Sequence, residues 1–292
     1  DNNPVNTKTG VTVELSNGET ITIAAGSSNN SKTIAAETDD VYVDAKDVSV
    51  SIENVIETNP RAENSFENLV ADKTPVTTVV TDTDDTVTVK LTATGSTKEG
   101  GEITYTVSLV DKDNNPVNTK TGVTVELSNG KTITIDANSS SKSLTIDAET
   151  DDVYVDAKDV SVSIKEVTET NKGAENSFEK LVADKIPVET KVTDTTDTVK
   201  VNVTAEEVNN GKDIELTLSL TNEDGMVTNV TDELLTVVVA DSLGNKYPIE
   251  IPIGSNLSDP ITVPNPIPGG GNVIYIVDKE SITGGNYEAL EG

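Results

Sequence analysis

The chain has 292 residues, with 51 acidic against 21 basic side chains, a formal net charge of −30, and no cysteine, histidine or tryptophan. Without Cys or His the sequence excludes a thiol nucleophile, a Cys/His zinc site, a Ser-His-Asp triad and a disulfide framework. A surface with this much negative charge repels phosphate backbones and anionic lipid. We therefore expect cations as partners, and we expect neither nucleic-acid binding nor direct membrane insertion.

An internal repeat organises the chain from its first residue. Asp-Asn-Asn-Pro-Val at residues 1–5 recurs at residues 113–117, and residues 1–80 align without a gap with residues 113–192. A third, more divergent copy follows, since residues 103–109 reappear as residues 214–220. A period near 110 residues is about right for one sandwich module. We therefore predict a first repeat (1–80) that lacks its first two strands, a complete second repeat (81–192), and a divergent third repeat (193–292) that lacks its last strand.

The second repeat contains short alternating runs rich in Val, Ile and Thr, which favour strands over helices. Asn129-Gly130 between two of these runs is typical of a two-residue hairpin turn. The predicted fold is all-β, with tandem immunoglobulin-like (bacterial Ig-like) β-sandwich modules in an elongated array. The seven predicted strands are 87–93, 103–110, 123–127, 132–135, 143–146, 160–164 and 181–192.

Acidic residues concentrate where this strand order brings one module against the next. Clustered carboxylates repel each other by roughly 4 kcal/mol per pair at 4 Å and an effective dielectric of about 20, unless a cation lies among them. Oxygen ligands without histidine favour calcium over zinc or copper. The predicted calcium ligands are Asp39, Asp40, Asp44, Asp82, Asp84, Asp85, Asp111 and Asp113 at the first junction, and Glu99, Asp151, Asp152, Asp156, Asp194, Asp197 and Asp224 at the second.

Several other interpretations of these residues remain open. Asp is also an ordinary turn former, so a single acidic loop indicates little by itself. Paired carboxylates could serve a glycosidase, but nearly identical tandem copies argue against catalysis, and we predict no enzyme. The aromatic residues Tyr42, Phe66, Tyr154 and Phe178 are interpreted as core residues rather than stacking platforms.

Five motifs in a fixed order resemble a known family. They are Glu-Gly-Gly-Glu-Ile-Thr-Tyr (99–105), Val-Glu-Leu-Ser-Asn-Gly (125–130), Thr-Ile-Thr-Ile (132–135), Asp-Asp-Val-Tyr-Val-Asp-Ala (151–157) and Val-Thr-Asp-Thr (192–195). This set is similar to the extender repeats of the large RTX adhesins of Gram-negative bacteria, the LapA type. The resemblance implies a type I-secreted, extracellular cell-surface protein whose modules hold a distal ligand-binding region away from the cell and support adhesion and biofilm formation. It also implies calcium at module junctions.

We therefore predict a structural extender segment of an RTX adhesin, rigidified by calcium between modules, with neighbouring modules as its partners and the distal adhesin ligand outside this segment. One alternative is a self-assembling subunit of a surface layer or extracellular filament. Another is a carbohydrate-binding module in the third repeat, which departs most from the pattern because Pro266-Ile267-Pro268 begins the segment where the acidic loop should be.

Overall fold

The computed structural model of the chain describes residues 3–61 and 63–292. Those residues form strands, turns and loops, with no helix among them, and accordingly the described part of the chain offers no helix able to cross a membrane. The chain is an all-β array of sandwich modules, as predicted.

The second repeat is the most complete sandwich. Its β8 alternates buried Ile103, Tyr105, Val107 and Leu109 with partly exposed residues, because successive side chains of a strand point to opposite faces. This buried row packs in one core with the inward residues of β9. The sheets are ordered β11-β8-β6-β14, β10-β9-β13 and β12-β15-β7. The strands are β6 (Thr86–Ala93), β7 (Ser96–Lys98), β8 (Glu102–Val110), β9 (Val123–Leu127), β10 (Thr132–Ile135), β11 (Ser141–Asp147), β12 (Val160–Val162), β13 (Ile164–Glu169), β14 (Lys180–Ala183) and β15 (Val188–Thr193).

Two predicted strands of this repeat are each divided in the structure. The run 160–164 changes sheets at Ser163, so that β12 pairs with β15 while β13 pairs with β9. Ser163 itself bonds Ser128 through its backbone N–H and C=O. The run 181–192 breaks at residues 184–187, where Asp184 accepts a turn hydrogen bond from Ile186 and Pro187 has no N–H to donate.

The β9–β10 turn also differs from the two-residue form that Asn-Gly predicts. Only Gly130 has positive φ (78°), and its N–H donates to Leu127 O. Lys131 O accepts from Leu127 N and closes a three-residue loop. This is the type I turn followed by a left-handed glycine, the next most common hairpin connection.

The third repeat keeps the same two-layer plan. Its sheets are ordered β20-β17-β16-β22 and β19-β18-β21, and they enclose a second core around Leu216, Leu218, Leu235 and Val237. β22 runs parallel to β16, as β14 runs parallel to β6 in the second repeat. The strands are β16 (Thr198–Val208), β17 (Asp213–Asn222), β18 (Leu235–Asp241), β19 (Lys246–Ile251), β20 (Ile261–Pro264), β21 (Tyr275–Thr283) and β22 (Ala289–Glu291).

The first repeat contains one sheet of order β2-β1-β4 and one of order β3-β5. Within its described residues, Val11 alone among hydrophobic side chains is nearly inaccessible, at 4% exposure. One face of the β2-β1-β4 sheet is therefore more open than its counterpart in the second repeat. The strands are β1 (Val11–Leu15), β2 (Thr20–Ile23), β3 (Val48–Val50), β4 (Ile52–Glu57) and β5 (Val76–Thr78).

Candidate metal centre

The acidic loops of the first and second repeats each leave their own sandwich and pack on the next module. We call residues 36–47 the first crossing loop and residues 148–159 the second crossing loop. In the second, Tyr154 pairs with Tyr287 of the third repeat in an antiparallel bridge. Val155 N donates to Asn286 O (3.1 Å), and Glu288 N donates to Val153 O (3.1 Å). The crossing loop thus extends the edge of the following module by one short strand.

The tyrosine of each crossing loop enters the core of the following module. Tyr154 stacks on Tyr287 with ring centroids 5.3 Å apart, and its hydroxyl donates to Asn229 O (2.7 Å). Tyr42 stacks on Phe178 at 5.5 Å in the same way, and its hydroxyl donates to the carbonyl of residue 118 (2.5 Å). We call Tyr42 and Tyr154 the docking tyrosines. Both rings are partly buried and pack against the core of the neighbouring module, whereas the sequence predicted core residues.

A linker aspartate holds the base of each crossing loop. Asp194 Oδ1 accepts hydrogen bonds from the backbone N–H groups of Asp156 (2.7 Å) and Ala157 (2.9 Å). Asp82 Oδ1 accepts the same two bonds from residues 44 and 45, at 3.1 and 2.9 Å. The two junctions are therefore built on one plan, and the linker carboxylate lies beside the acidic loop at each.

Thr195 in the second linker connects two more predicted residues. Its Oγ1 lies 2.7 Å from both Asp151 Oδ1 and Asp197 Oδ2. The counterparts of all three residues, 112 positions earlier, repeat the arrangement at 3.0 and 3.1 Å. The threonine hydroxyl therefore brings one loop carboxylate and one linker carboxylate to the same place at each junction.

Three carboxylates converge at the second junction, and we call Glu99, Asp194 and Glu288 the junction carboxylates. One oxygen of each lies within 4.8 Å of the others. Glu99 is only 4% exposed, and neither of its carboxylate oxygens has a hydrogen-bond partner. Glu288 Oε1 is also buried without a partner, while its Oε2 accepts from Asp197 N (2.6 Å). Buried, unpartnered carboxylate oxygens are costly and indicate a missing positive partner.

The electrostatics at Glu99 and Glu288 oppose ionisation. The pKa of Glu99 is raised from its ordinary 4.5 to about 7, first by burial and in addition by the charges of Asp194, Asp152 and Asp156. Burial likewise raises the pKa of Glu288 and of Asp156, with neighbouring carboxylates contributing at both. A cation among these groups would favour their ionised forms.

Close backbone packing places Glu99 in the cluster. Gly100 has φ of +68°, and a Cβ there would lie 3.0 Å from Cβ of Asp151. Its N–H donates to the carbonyl of residue 149 (2.8 Å), and Glu99 N donates to Thr193 O (3.1 Å). Only glycine fits between the hairpin and the crossing loop with that conformation, so the Glu-Gly pair explains how a carboxylate becomes buried at this point.

An acidic cavity lies at the first junction. A space of about 340 Å³ is lined by the crossing loop and the linker, including Asp39, Asp40, Asp44 and Asp82. Glu179, the counterpart of Glu288, lies beside it and accepts from the backbone N–H of residue 85 (2.6 Å). Burial raises the pKa of Glu179. A counterpart of Glu99 would fall 112 positions before it, ahead of residue 1.

Four further predicted ligands are neither among the junction carboxylates nor in the lining of the first-junction cavity. Asp111 accepts hydrogen bonds from the backbone of residues 113 and 115 and closes its own turn. Asp113 forms an exposed ion pair with Lys112. Asp84 and Asp224 are exposed to solvent.

Sequence reasoning missed Glu179 and Glu288 as site residues. Both follow the aromatic residue on which the docking tyrosine stacks. The signal was available, because an aromatic-Glu pair recurs in all three repeats, with Glu67 the third member.

The donor set fits a hard divalent cation. Every group that converges is an oxygen donor, three carboxylates are within coordinating reach of one another, and two of them carry buried oxygens without partners. Calcium takes six to eight oxygen ligands, and flanking carboxylates or water would complete such a shell. Glu99, Asp194 and Glu288 are the residues that would hold it.

The fold and these junctions define the class as a tandem β-sandwich repeat protein with carboxylate-rich module contacts. The chain belongs to the LapA domain family, because the sequence model of that family matches residues 4–83 and 85–195. No match was found among curated protein sequences.

The solved structures that match the chain are distant in sequence. A tetra-tandem repeat in the extending region of a large adhesion protein is 14% identical, covering 94% of this chain and 66% of that one, with a TM-score of 0.33. Domains 4–9 of the surface layer protein SbsC are 14% identical over 90% of this chain and 40% of that one, with a TM-score of 0.23. CBD12 from CALX1.2 is 11% identical, with coverage of 60% and 73% and a TM-score of 0.24. The chain thus spans 40% of the SbsC chain.

Proposed function

We propose that this chain is an extender segment of a secreted, cell-surface RTX adhesin whose modules are held in line by calcium at their junctions. Membership of the LapA domain family supports the adhesin part of this proposal. The observation that carries the calcium part is the buried, unpartnered Glu99 carboxylate within 4.8 Å of Asp194 and Glu288.

The role is mechanical rather than catalytic. The junction carboxylates come from three places: the β7–β8 turn of the second repeat, the linker and the edge of the third repeat. A cation held by all three would join two modules and fix the angle between them. Because the cation would cancel the repulsion between the carboxylates, the junction would resist bending. A row of such modules would extend a distal adhesive region from the cell and support attachment and biofilm formation.

This proposal also accounts for where the protein would work. Extracellular modules bind calcium at roughly 10⁻⁴ to 10⁻³ M. Such a site would fill outside a cell and be empty inside it, so the segment would stiffen only after secretion. Type I secretion would deliver it unstiffened.

Calcium titration of three versions of the chain tests the proposal. Glu99→Gln removes one ligand charge and should weaken calcium binding at the second junction by about 10- to 100-fold, as losses around metal ligands do. Glu102→Gln is the matched control, because Glu102 is an exposed glutamate three residues away at the start of β8. Isothermal titration calorimetry would measure the affinity. Equal calcium binding by Glu99→Gln and the control would refute the assignment of the site.

Small-angle scattering tests the mechanical part separately. The intact chain should have a larger maximum dimension and a narrower distribution of shapes in calcium than in chelator. Identical scattering in the two conditions would remove calcium rigidification. Lateral assembly of the chain in calcium would instead favour the surface-layer or filament alternative.

The sugar-binding alternative gains no support from the third repeat. A cavity of about 360 Å³ there includes Tyr275 and Asn265 in its lining. The ring of Tyr275 is half-buried, packed at 6.3 Å from Tyr247, and its hydroxyl is buried without a partner. Tyr275 therefore does not provide an exposed aromatic surface on which a sugar ring could stack.

A further inference from the structure

We propose that the corner around Phe66 in the first repeat is a docking site for a crossing loop of another module, with the sequence Asp-Asp-Val-Tyr-Val-Asp. The loop would insert its tyrosine against Phe66, as Tyr42 does against Phe178. This inference extends the extender role proposed above, but it depends on apolar and backbone contacts and not on calcium.

Two occupied examples define what such a site contains. In the second and third repeats a residue with positive φ lies two positions before the receiving aromatic, Asn176 (70°) and Gly285 (86°). The backbone on either side of the aromatic exchanges hydrogen bonds with the crossing loop: at the first junction Val43 N donates to Ser177 O (2.8 Å), and Glu179 N donates to the carbonyl of residue 41 (3.0 Å). The site therefore consists of an aromatic ring and, beside it, a short stretch of backbone whose N–H and C=O groups can pair with a crossing loop.

The first repeat has the same corner already built. Phe66 N donates to the carboxylate of Glu57 at 3.3 and 3.1 Å, just as Phe178 N donates to Glu169 at 3.0 and 3.2 Å. Asn64 has φ of +81°, in the same left-handed region as its counterparts. The corner thus takes its shape from contacts within the first repeat, without a loop seated on it.

The remaining contact groups are also present. The carbonyl that accepts from the Tyr42 hydroxyl belongs to residue 118, whose counterpart is Asn6. The adjoining backbone is held alike, since Thr7 N donates to Ser27 O and Thr119 N donates to Ser139 O, each at 2.9 Å. The acceptor for a docking hydroxyl therefore lies on a matching stretch of backbone.

The charge beside the corner also suits this occupant. Lys8 stands where Lys120 stands in the second repeat, and Lys120 lies 3.7 Å over the Tyr42 ring and 3.2 Å from Asp44. Lys8 would meet the tyrosine and last aspartate of an incoming acidic loop in the same way.

The peptide Glu-Thr-Asp-Asp-Val-Tyr-Val-Asp, which is the sequence of both residues 37–44 and residues 149–156, provides the direct test. It would be titrated in chelator into the isotope-labelled full chain, with NMR amide shifts as the readout. Since a free peptide lacks the high effective concentration of a linked loop, we expect saturation in the millimolar range. The shifts should map to residues 64–67 and 6–8.

Matched variants decide between outcomes. The same peptide with alanine for tyrosine should give no saturable shift, and neither should the chain variant Phe66→Ala. Phe66→Tyr introduces the aromatic residue that the third repeat has at this position, so this variant should still bind the peptide. Binding by Phe66→Tyr would show that a substituted corner still folds. Absence of saturable shifts at residues 64–67, equal shifts with the alanine peptide, or shifts confined to the occupied corners at 176–179 and 286–288 would overturn the inference. Chelator keeps this result independent of the calcium proposal.

Discussion

The two module junctions share their backbone contacts and differ in their charges. At both, a docking tyrosine stacks on an aromatic residue and a linker aspartate caps the loop. The first junction adds Lys120 over the Tyr42 ring, whereas the uncharged Thr231 occupies the corresponding position at the second, two residues after the acceptor Asn229. The comparison teaches that apolar docking defines the contact between modules, while electrostatics are adjusted junction by junction.

Neutralising Glu99 should have the largest effect, with opposite signs in chelator and in calcium. Since the folded-state pKa is raised to about 7 from 4.5, ionisation destabilises the folded junction. Its penalty is absent below pH 4.5, grows as the pH rises towards 7, and is complete above it. In chelator at pH 8, Glu99→Gln should therefore raise the free energy of unfolding, by on the order of 2 to 3 kcal/mol.

Chemical denaturation across pH measures this effect. In chelator the gain from Glu99→Gln should shrink as the pH falls below 7 and vanish near pH 4.5. In saturating calcium the same variant should be less stable than the wild-type chain, because a ligand is lost. Glu102→Gln should change neither curve. A gain in chelator that does not depend on pH would contradict the role of the buried charge.

Removing a docking tyrosine should have the next largest effect. Tyr154→Ala deletes a half-buried ring and its hydrogen bond to Asn229 O, which should cost about 2 kcal/mol of stability in the third repeat, even in chelator. Val155→Ala is the control, because Val155 lies in the same loop and is 49% exposed. Urea unfolding followed by amide signals of the third repeat measures both. Equal losses for the two variants would show that the ring contact is unimportant.

Exchanging the receiving aromatics sharpens the comparison further. Tyr287 is 8% exposed and its hydroxyl is buried without a partner, whereas Phe178 has no hydroxyl at the same place. Tyr287→Phe should stabilise the third repeat by about 1 kcal/mol, because an unpaired buried hydroxyl is removed. Phe178→Tyr should destabilise the second repeat by a similar amount. Thermal unfolding of both variants tests the pair, and a loss from Tyr287→Phe would indicate that the hydroxyl has a partner.

The smallest expected effect concerns the lysine at the first junction. Lys120→Met keeps the aliphatic stem but removes the cation over Tyr42 and the ion pair with Asp44, so a loss of about 0.5 to 1 kcal/mol is expected. The loss should decrease at high salt, as exposed charge interactions do. Lys112→Met, which breaks only an exposed pair with Asp113, is the control. A salt-independent loss would point to packing instead.

Local patterns predicted the sandwich well and its interruptions poorly. The alternating run 103–110 became β8 because each inward side chain had a core position to fill. The run 160–164 looked like one strand, yet it changes sheets at Ser163. The five residues 160–164 do not by themselves indicate the change of sheet, because it depends on contacts with β9 and β15, which are distant in sequence.

The candidate site was predicted in part for the same reason. Glu99 and Asp194 were found because the predicted strand order brings the turn and the linker that carry them to the same end of the module, and the structure brings them together. Glu288 was missed because its role depends on a crossing loop that reaches it from more than a hundred residues away. Asp111 was included because its loop was expected to meet the junction, but its carboxylate is used by its own turn.

The sequence by itself determined the repeat, the all-β character and the restriction to oxygen ligands, since these follow from residue identity, alternation and the lack of Cys and His. Only the tertiary structure decided that each acidic loop belongs in part to the following module, and that Glu99 is buried while Asp224 is not. The physical reason is that burial and carboxylate convergence depend on surfaces from two modules, which no short stretch of sequence contains.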